Sequence, residues 1–198
     1  VKTPTHIFVH HTAVSYDKNP DQWNATNNYH RDKWGVESSL GYYAGYNYEI
    51  SKIGSIKQFR VDGEVTVAQY QKNMNDGRAI SICLDGNFDI EDPTDDQVKV
   101  LYSLIETKMK QYGIKRENIK PHRHVAPKTC WGSRLPDDVM GYLEERLKKD
   151  EPKPMTDFEW FNTHIMPVIE DKTFTPSSRE ATIARALAKQ IIGWTNNQ

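Results

Sequence analysis

Two histidines, a lysine and a cysteine fall within the ten residues PHRHVAPKTC, 121 to 130. The chain has only 2 cysteines, so placing one of them in a His- and Lys-bearing run is a chemical signal. Imidazole nitrogen and thiolate sulfur are donors that zinc favours. His122 and Cys130 are separated by RHVAPKT, and Pro127 disfavours helix there, so a loop must bring them together. A catalytic zinc takes three protein ligands and keeps the fourth position open, so another donor is needed. The best candidate is the His10–His11 pair at the end of THIFVHH. Strand alternation sends these two imidazoles to opposite faces, so only one can readily reach a given site. Spacing alone does not choose between His122 and His124, and a closed structural site using both is a rival. A Cys83–Cys130 disulfide is another. Taken singly, Lys128 reads as a solvated surface charge and Tyr46 as a half-buried strand aromatic. His6, His30 and His164 have no comparable context and read as structural or exposed.

The chain around these residues alternates strand and helix signals. THIFVHH, residues 5 to 11, is β-branched and aromatic, with Phe8 and His10 on one face and Ile7, Val9 and His11 on the other. Asn19 and Pro20 predict an N-cap and first helical position for a helix reaching Gly35. Its Trp23, Ala25, Tyr29 and Trp34 make a rough apolar stripe. GYNYEI, residues 45 to 50, predicts a strand carrying Tyr46, and SKIGSIK a turn into a second hairpin strand. AISICL, residues 79 to 84, predicts a central strand with Cys83 as a small buried thiol. Thr94 and Gln97 form a capping box before a face of Val98, Leu101, Ile105, Met109 and Tyr112, with Gly113 closing the helix. ENIKPH, residues 117 to 122, predicts a short strand, and residues 136 to 149 a last helix with acids early and bases late.

This pattern predicts an α/β domain over residues 1–149, a mixed central β-sheet flanked by helices. DEPKP opens a linker at 150–155. Capping boxes at Thr156–Glu159 and Ser177–Glu180 predict a small helical C-terminal region over 156–198, to which composition gives no role.

With 26 Lys plus Arg against 27 Asp plus Glu, the net charge is −1, which speaks against a general nucleic-acid binder. No apolar run approaches the ~20 residues needed to span a bilayer. The N-terminus, VKTPTHIFVHHTA, lacks a signal-peptide pattern. The expected state is a monomer.

As an ordered set, IFVHHTA, GYNYEI, AISICLDGNFD with the PTDDQ helix start, and HRHVAPKTC resemble a known family. It is the zinc-dependent N-acetylmuramoyl-L-alanine amidases of the phage lysozyme and peptidoglycan-recognition-protein type. The resemblance covers about residues 4 to 148. It implies Zn²⁺ held by His10, His122 and Cys130, with Tyr46 and Lys128 catalytic. It implies bacterial peptidoglycan as partner and hydrolysis of the amide joining N-acetylmuramic acid to L-alanine. The place of action would then be the bacterial cell wall, reached from outside the cell or by release from a host as a phage lysin. The runner-up is a recognition module that binds peptidoglycan without cutting it; such relatives lack the Cys. Tyr70 stands where the family often has His, and Trp131 and Gly132 follow Cys130 where Pro is common.

Overall fold

The computed structural model describes residues 1–19, 21–69 and 74–150, and Val1–Asp150 form one compact unit. The readings made for Pro20, Tyr70 and the region beyond residue 150 lie outside the described residues. A five-stranded sheet is built from β1 (His6–His11), β2 (Tyr48–Ile50), β3 (Ile56–Gln58), β4 (Ala79–Leu84) and β5 (Ile119–Pro121). Its order is β3-β2-β4-β1-β5. β1 pairs in parallel with β4 and β5, and β2 with β4, while β2 and β3 form the antiparallel hairpin. β4 is buried at every position and β1 at all but His6, as expected of parallel strands covered on both faces.

The two faces differ in chemistry. Ile7, Val9, Ile80, Ile82, Leu84, Tyr48 and Ile50 join one apolar core with α2 (Asp95–Tyr112) and α3 (Val139–Asp150). α2 supplies Val98, Leu101 and Ile105, and α3 supplies Val139, Met140 and Leu143. The capping box forms as expected: the Thr94 hydroxyl accepts from the Gln97 amide, and Gln97 Oε1 accepts from the Thr94 amide, each at 3.2 Å. Gln97 Nε2 also donates to Ile50 O and Asp85 O, which ties the helix start to the ends of β2 and β4.

The opposite face is polar. In register, His10, Cys83 and Glu49 stand side by side across β1, β4 and β2. α1 (Gln22–Trp34) lies over this face, with Thr26 donating to Glu49 at 3.1 Å. Its buried residues are Gln22 and His30, so it has no clean apolar stripe. Its N-cap is Asp21, whose carboxylate accepts from the Asn24 amide, and not Asn19, whose side chain accepts from Asp21 N instead. β2 and β5 are shorter than expected from GYNYEI and ENIKPH. Residues 116–118 form a 3₁₀ turn, and α3 starts at Val139 because Asp138 caps it by accepting from Gly141 N at 3.0 Å.

Glu49 is fully buried and Asp85 is 4% exposed, and each has a carboxyl oxygen without a hydrogen-bond donor, Oε2 and Oδ1. The two carboxyls lie close enough for each to act on the ionisation of the other. Burial, then its partner's charge, raises Glu49 well above the usual range, and burial pushes Asp85 up to about 6. Because both folded values exceed the unfolded ones, the stabilising protonated pair is fully present below about pH 4 and is lost as pH rises through about 6 and beyond. A Gln at position 49 would keep the Thr26 bond and donate to Asp85 without a proton. Glu49→Gln is therefore expected to stabilise by on the order of 1–2 kcal/mol at pH 8, about 3–8 °C in Tm, and by little at pH 4. Calorimetry at the two pH values checks this.

Candidate functional site

The polar end of β1 opens into a cleft of about 690 Å³. Its lining includes His10, Tyr46, His122, Lys128 and Cys130, so all five residues singled out in the sequence come together. Each arrives differently. His10 is the next-to-last residue of β1, turned by alternation toward the α1 face. Tyr46 precedes β2. His122 opens a 3₁₀ turn directly after β5, which pairs with β1 in parallel and so ends beside His10. Lys128 and Cys130 lie on the following loop.

Donor atoms of His10, His122 and Cys130 all lie within 4.8 Å of one another, a group that could hold a metal ion. The imidazoles of His10 and His122 are 4.4 Å apart, and Cys130 Sγ is 3.8 Å from His10 Nδ1. Donors around a tetrahedral zinc sit roughly 3.3–3.8 Å apart, so the cluster needs only a small contraction. The Nε2 atoms of both histidines are buried without a partner. An unsatisfied buried polar atom costs about 1–3 kcal/mol, which ligation would relieve. Burial first, then the neighbouring His122, lowers His10 well below the ordinary imidazole value; burial first, then the Lys128 charge, brings His122 to about 4. Both rings are thus neutral, the state in which imidazole ligates. Burial pushes the Cys130 thiol up to about 12, opposed by its bond from His11 N and by Lys128. Both cysteines are free, and His124 is exposed and outside the donor group, so the disulfide and the four-ligand alternatives find no support among the described residues.

Tyr46 is half-buried, its ring 5.1 Å from that of His10 and 5.2 Å from that of His30. Burial raises its phenol well above the ordinary value, helped by Cys83, so it keeps its proton at neutral pH. Lys128 is exposed at the cleft edge, near enough for its charge to act on the His10 and His122 imidazoles.

The profile of the N-acetylmuramoyl-L-alanine amidase family matches residues 1–133. The chain belongs to this family. Similar solved amidases include LysC from Clostridium intestinale, 25% identical with a TM-score of 0.57, over 74% of this chain and 86% of that one. The endolysin Ph2119 of a Thermus scotoductus bacteriophage is 20% identical with a TM-score of 0.57, over 74% and 86% of the two chains. Drosophila PGRP-LB is 20% identical with a TM-score of 0.55, over 68% and 78%; these last two likenesses show the shared fold. No curated protein sequence matches the chain. Among the described residues no helix is long and apolar enough to cross a membrane.

Four residues that hold this amidase-family site escaped the sequence reading. Arg123, between His122 and His124, takes the Cys130 carbonyl on its backbone amide at 2.6 Å. Its guanidinium donates to Asp137 at 2.6 Å and to the carbonyls of Gly132 and Leu135 at 2.8 and 2.6 Å. Asp89 accepts from the Ser133 amide at 2.6 Å and from the Thr129 hydroxyl, fixing the loop from the other side. Gly132, at φ +131°, lets that loop touch Phe88: an added Cβ would lie 2.5 Å from Phe88 Cβ. His30, read as structural or exposed, is buried and lines the cleft. A basic side chain inside HRH reads as surface charge, and Asp89 and His30 have no local pattern tying them to residues so far along the chain. Arg123→Ala is expected to loosen the loop and weaken metal binding by about 10- to 100-fold, as loss of a group orienting a ligand does. Competition with a chromogenic chelator measures it.

Proposed function

We propose that this protein is a zinc-dependent peptidoglycan hydrolase that cuts the amide between N-acetylmuramic acid and the L-alanine of the stem peptide. The observation that carries the reading is the convergence of two buried, neutral imidazoles, each with an unpartnered Nε2, and one thiol on a cleft of a chain in the amidase family. The donor set of two nitrogens and one sulfur suits zinc with one position left open. Zinc held by His10, His122 and Cys130 would supply Lewis acidity toward the scissile carbonyl and a water acidic enough to attack near neutral pH.

The remaining work falls to this chain's own groups. Lys128 offers a positive charge at the cleft edge to the oxygen that becomes negative as water adds to the carbonyl carbon. Tyr46, a neutral phenol, holds the attacking water in line through its hydroxyl and passes a proton on. That proton must reach the alanine nitrogen as the carbon–nitrogen bond breaks, leaving a lactyl carboxylate and a new amino terminus. Asp89 is the one carboxylate lining the cleft among the described residues. It is a poor base, because the Ser133 amide bond, above all, holds it below the ordinary carboxylate range.

Digestion of purified peptidoglycan with and without a zinc chelator tests the reading. A fall in turbidity that stops with chelation and returns with added zinc is expected. Activity indifferent to the chelator would remove the metal from the account.

A further inference from the structure

Residues 43–46 approach the cleft ahead of β2, outside the strand ladder, and something else must fix them. Two side chains of α1 do so. Asn27 Oδ1 accepts the amides of Tyr43 and Ala44 at 2.7 and 3.2 Å. One turn later, His30 Nδ1 accepts the amide of Gly45 at 2.8 Å in a buried bond. From the other side the buried Arg60 donates from Nε to the Ala44 carbonyl at 2.6 Å. The sheet resumes immediately afterwards, where Asn47 N donates to Ser81 O at 2.9 Å. Tyr46 is thus the residue between a side-chain clamp and the first strand bond. His30 is 5% exposed, its ring in T-shaped contact with that of Tyr46 at 5.2 Å and 63° and 4.6 Å from that of Trp34.

We propose that His30 is a positioning residue for the hydrolysis, setting Tyr46 in the cleft through the Gly45 amide and the T-shaped contact between the two rings. This rests on the amidase reading, in which Tyr46 works at the scissile amide. The role depends on the ring being neutral with its proton on Nε2, since Nδ1 is the acceptor. Burial, with Lys33 and Arg60 adding to it, keeps His30 neutral down to about pH 4. A shift of the tyrosine of about an ångström is enough to cost up to ~100-fold in turnover.

The test uses the full chain with zinc bound and three replacements. His30→Asn places an acceptor near the Nδ1 position, His30→Gln near the Nε2 position, and His30→Leu has none. Expected is a loss of kcat of about 10- to 100-fold for Leu and Gln, with KM within about 3-fold of wild type, and recovery of most of it for Asn. Zinc content stays the same in all three. In a Tyr46→Phe background, His30→Leu is expected to add almost nothing, because both act through one group. A loss that appears in KM, that is equal for Asn and Gln, or that adds in full to Tyr46→Phe overturns the proposal. Hydrogen exchange of the Gly45 amide gives a readout independent of activity. Protection in wild type and His30→Asn but not in His30→Gln is expected. If the wild-type chain cuts no peptidoglycan, the amidase reading fails, and the exchange pattern still decides whether His30 holds this segment. Should His30→Leu not fold, the Asn and Gln pair carries the comparison.

Discussion

Cys130→Ser is expected to bind zinc more than ~100-fold more weakly than wild type and to lose peptidoglycan-cleaving activity at trace metal. Removing a group that merely orients a ligand already costs about 10- to 100-fold, and a ligand should cost more. Serine keeps the shape and can still accept from His11 N, where Cys130 Sγ now does so at 3.4 Å, so the fold should survive. It cannot supply a thiolate, however, and its hydroxyl does not ionise near neutrality. The expected signature is therefore a metal-dependent loss in a folded protein, with apo-form Tm within a few degrees of wild type. Unchanged zinc affinity in a chelator competition would take Cys130 out of the site.

Lys128→Ala is expected to show the opposite separation: zinc retained and turnover reduced by about 10²- to 10³-fold, the range seen when an oxyanion-stabilising group is removed. Lys128 is exposed and follows Pro127 on the loop, so its side chain supports nothing in the core. Its charge nevertheless helps to hold the His122 imidazole down. Removing it should leave the metal bound, since a neighbouring positive charge disfavours a cation. Metal content by mass spectrometry beside single-turnover rates separates the two effects. Loss of zinc together with activity would contradict the assigned role.

These two substitutions divide the site along the line that the sequence itself suggested. Cys130 and the His10–His11 and His122–His124 pairs were legible as candidate donors from a strand end and a Pro-interrupted His-to-Cys loop, whereas the choice within each pair and the roles of Tyr46 and Lys128 came only with the family resemblance. The apolar runs of β1 and β4 and the capping box of α2 were legible because their periods and caps are local. What was not legible depends on tertiary contact. The polar burial of α1 hides in a sequence without a clean stripe, because Gln22 and His30 are inward for hydrogen bonding and not for apolar contact. The start of α1 at Asp21 turned on two competing caps two residues apart. The Glu49–Asp85 pair could not be anticipated, because a Glu in YEI reads as an outward strand residue until β4 and α1 cover it.

The fold also explains why the three candidate donors His10, His122 and Cys130 sit where they do. One face of the sheet is committed to α2 and α3 by aliphatic packing, which leaves the other free to carry His10, Cys83 and Glu49 in a row. β5 runs parallel to β1, so the chain leaving it at His122 emerges beside the end of the strand that carries His10. Arg123, Asp89 and Gly132 then turn the loop back so that Cys130 closes the triangle.

The most direct test of the central claim is the chemistry of the cut. Purified peptidoglycan is digested by the zinc-loaded protein, and the soluble products are analysed by mass and by labelling of new amino termini. Stem peptides beginning with free L-alanine, together with glycan chains ending their lactyl groups as carboxylates, are the predicted result, and both should vanish in Cys130→Ser at trace metal. Intact wall that pellets with bound protein and yields no new alanine termini would contradict hydrolysis and leave a binding module in its place.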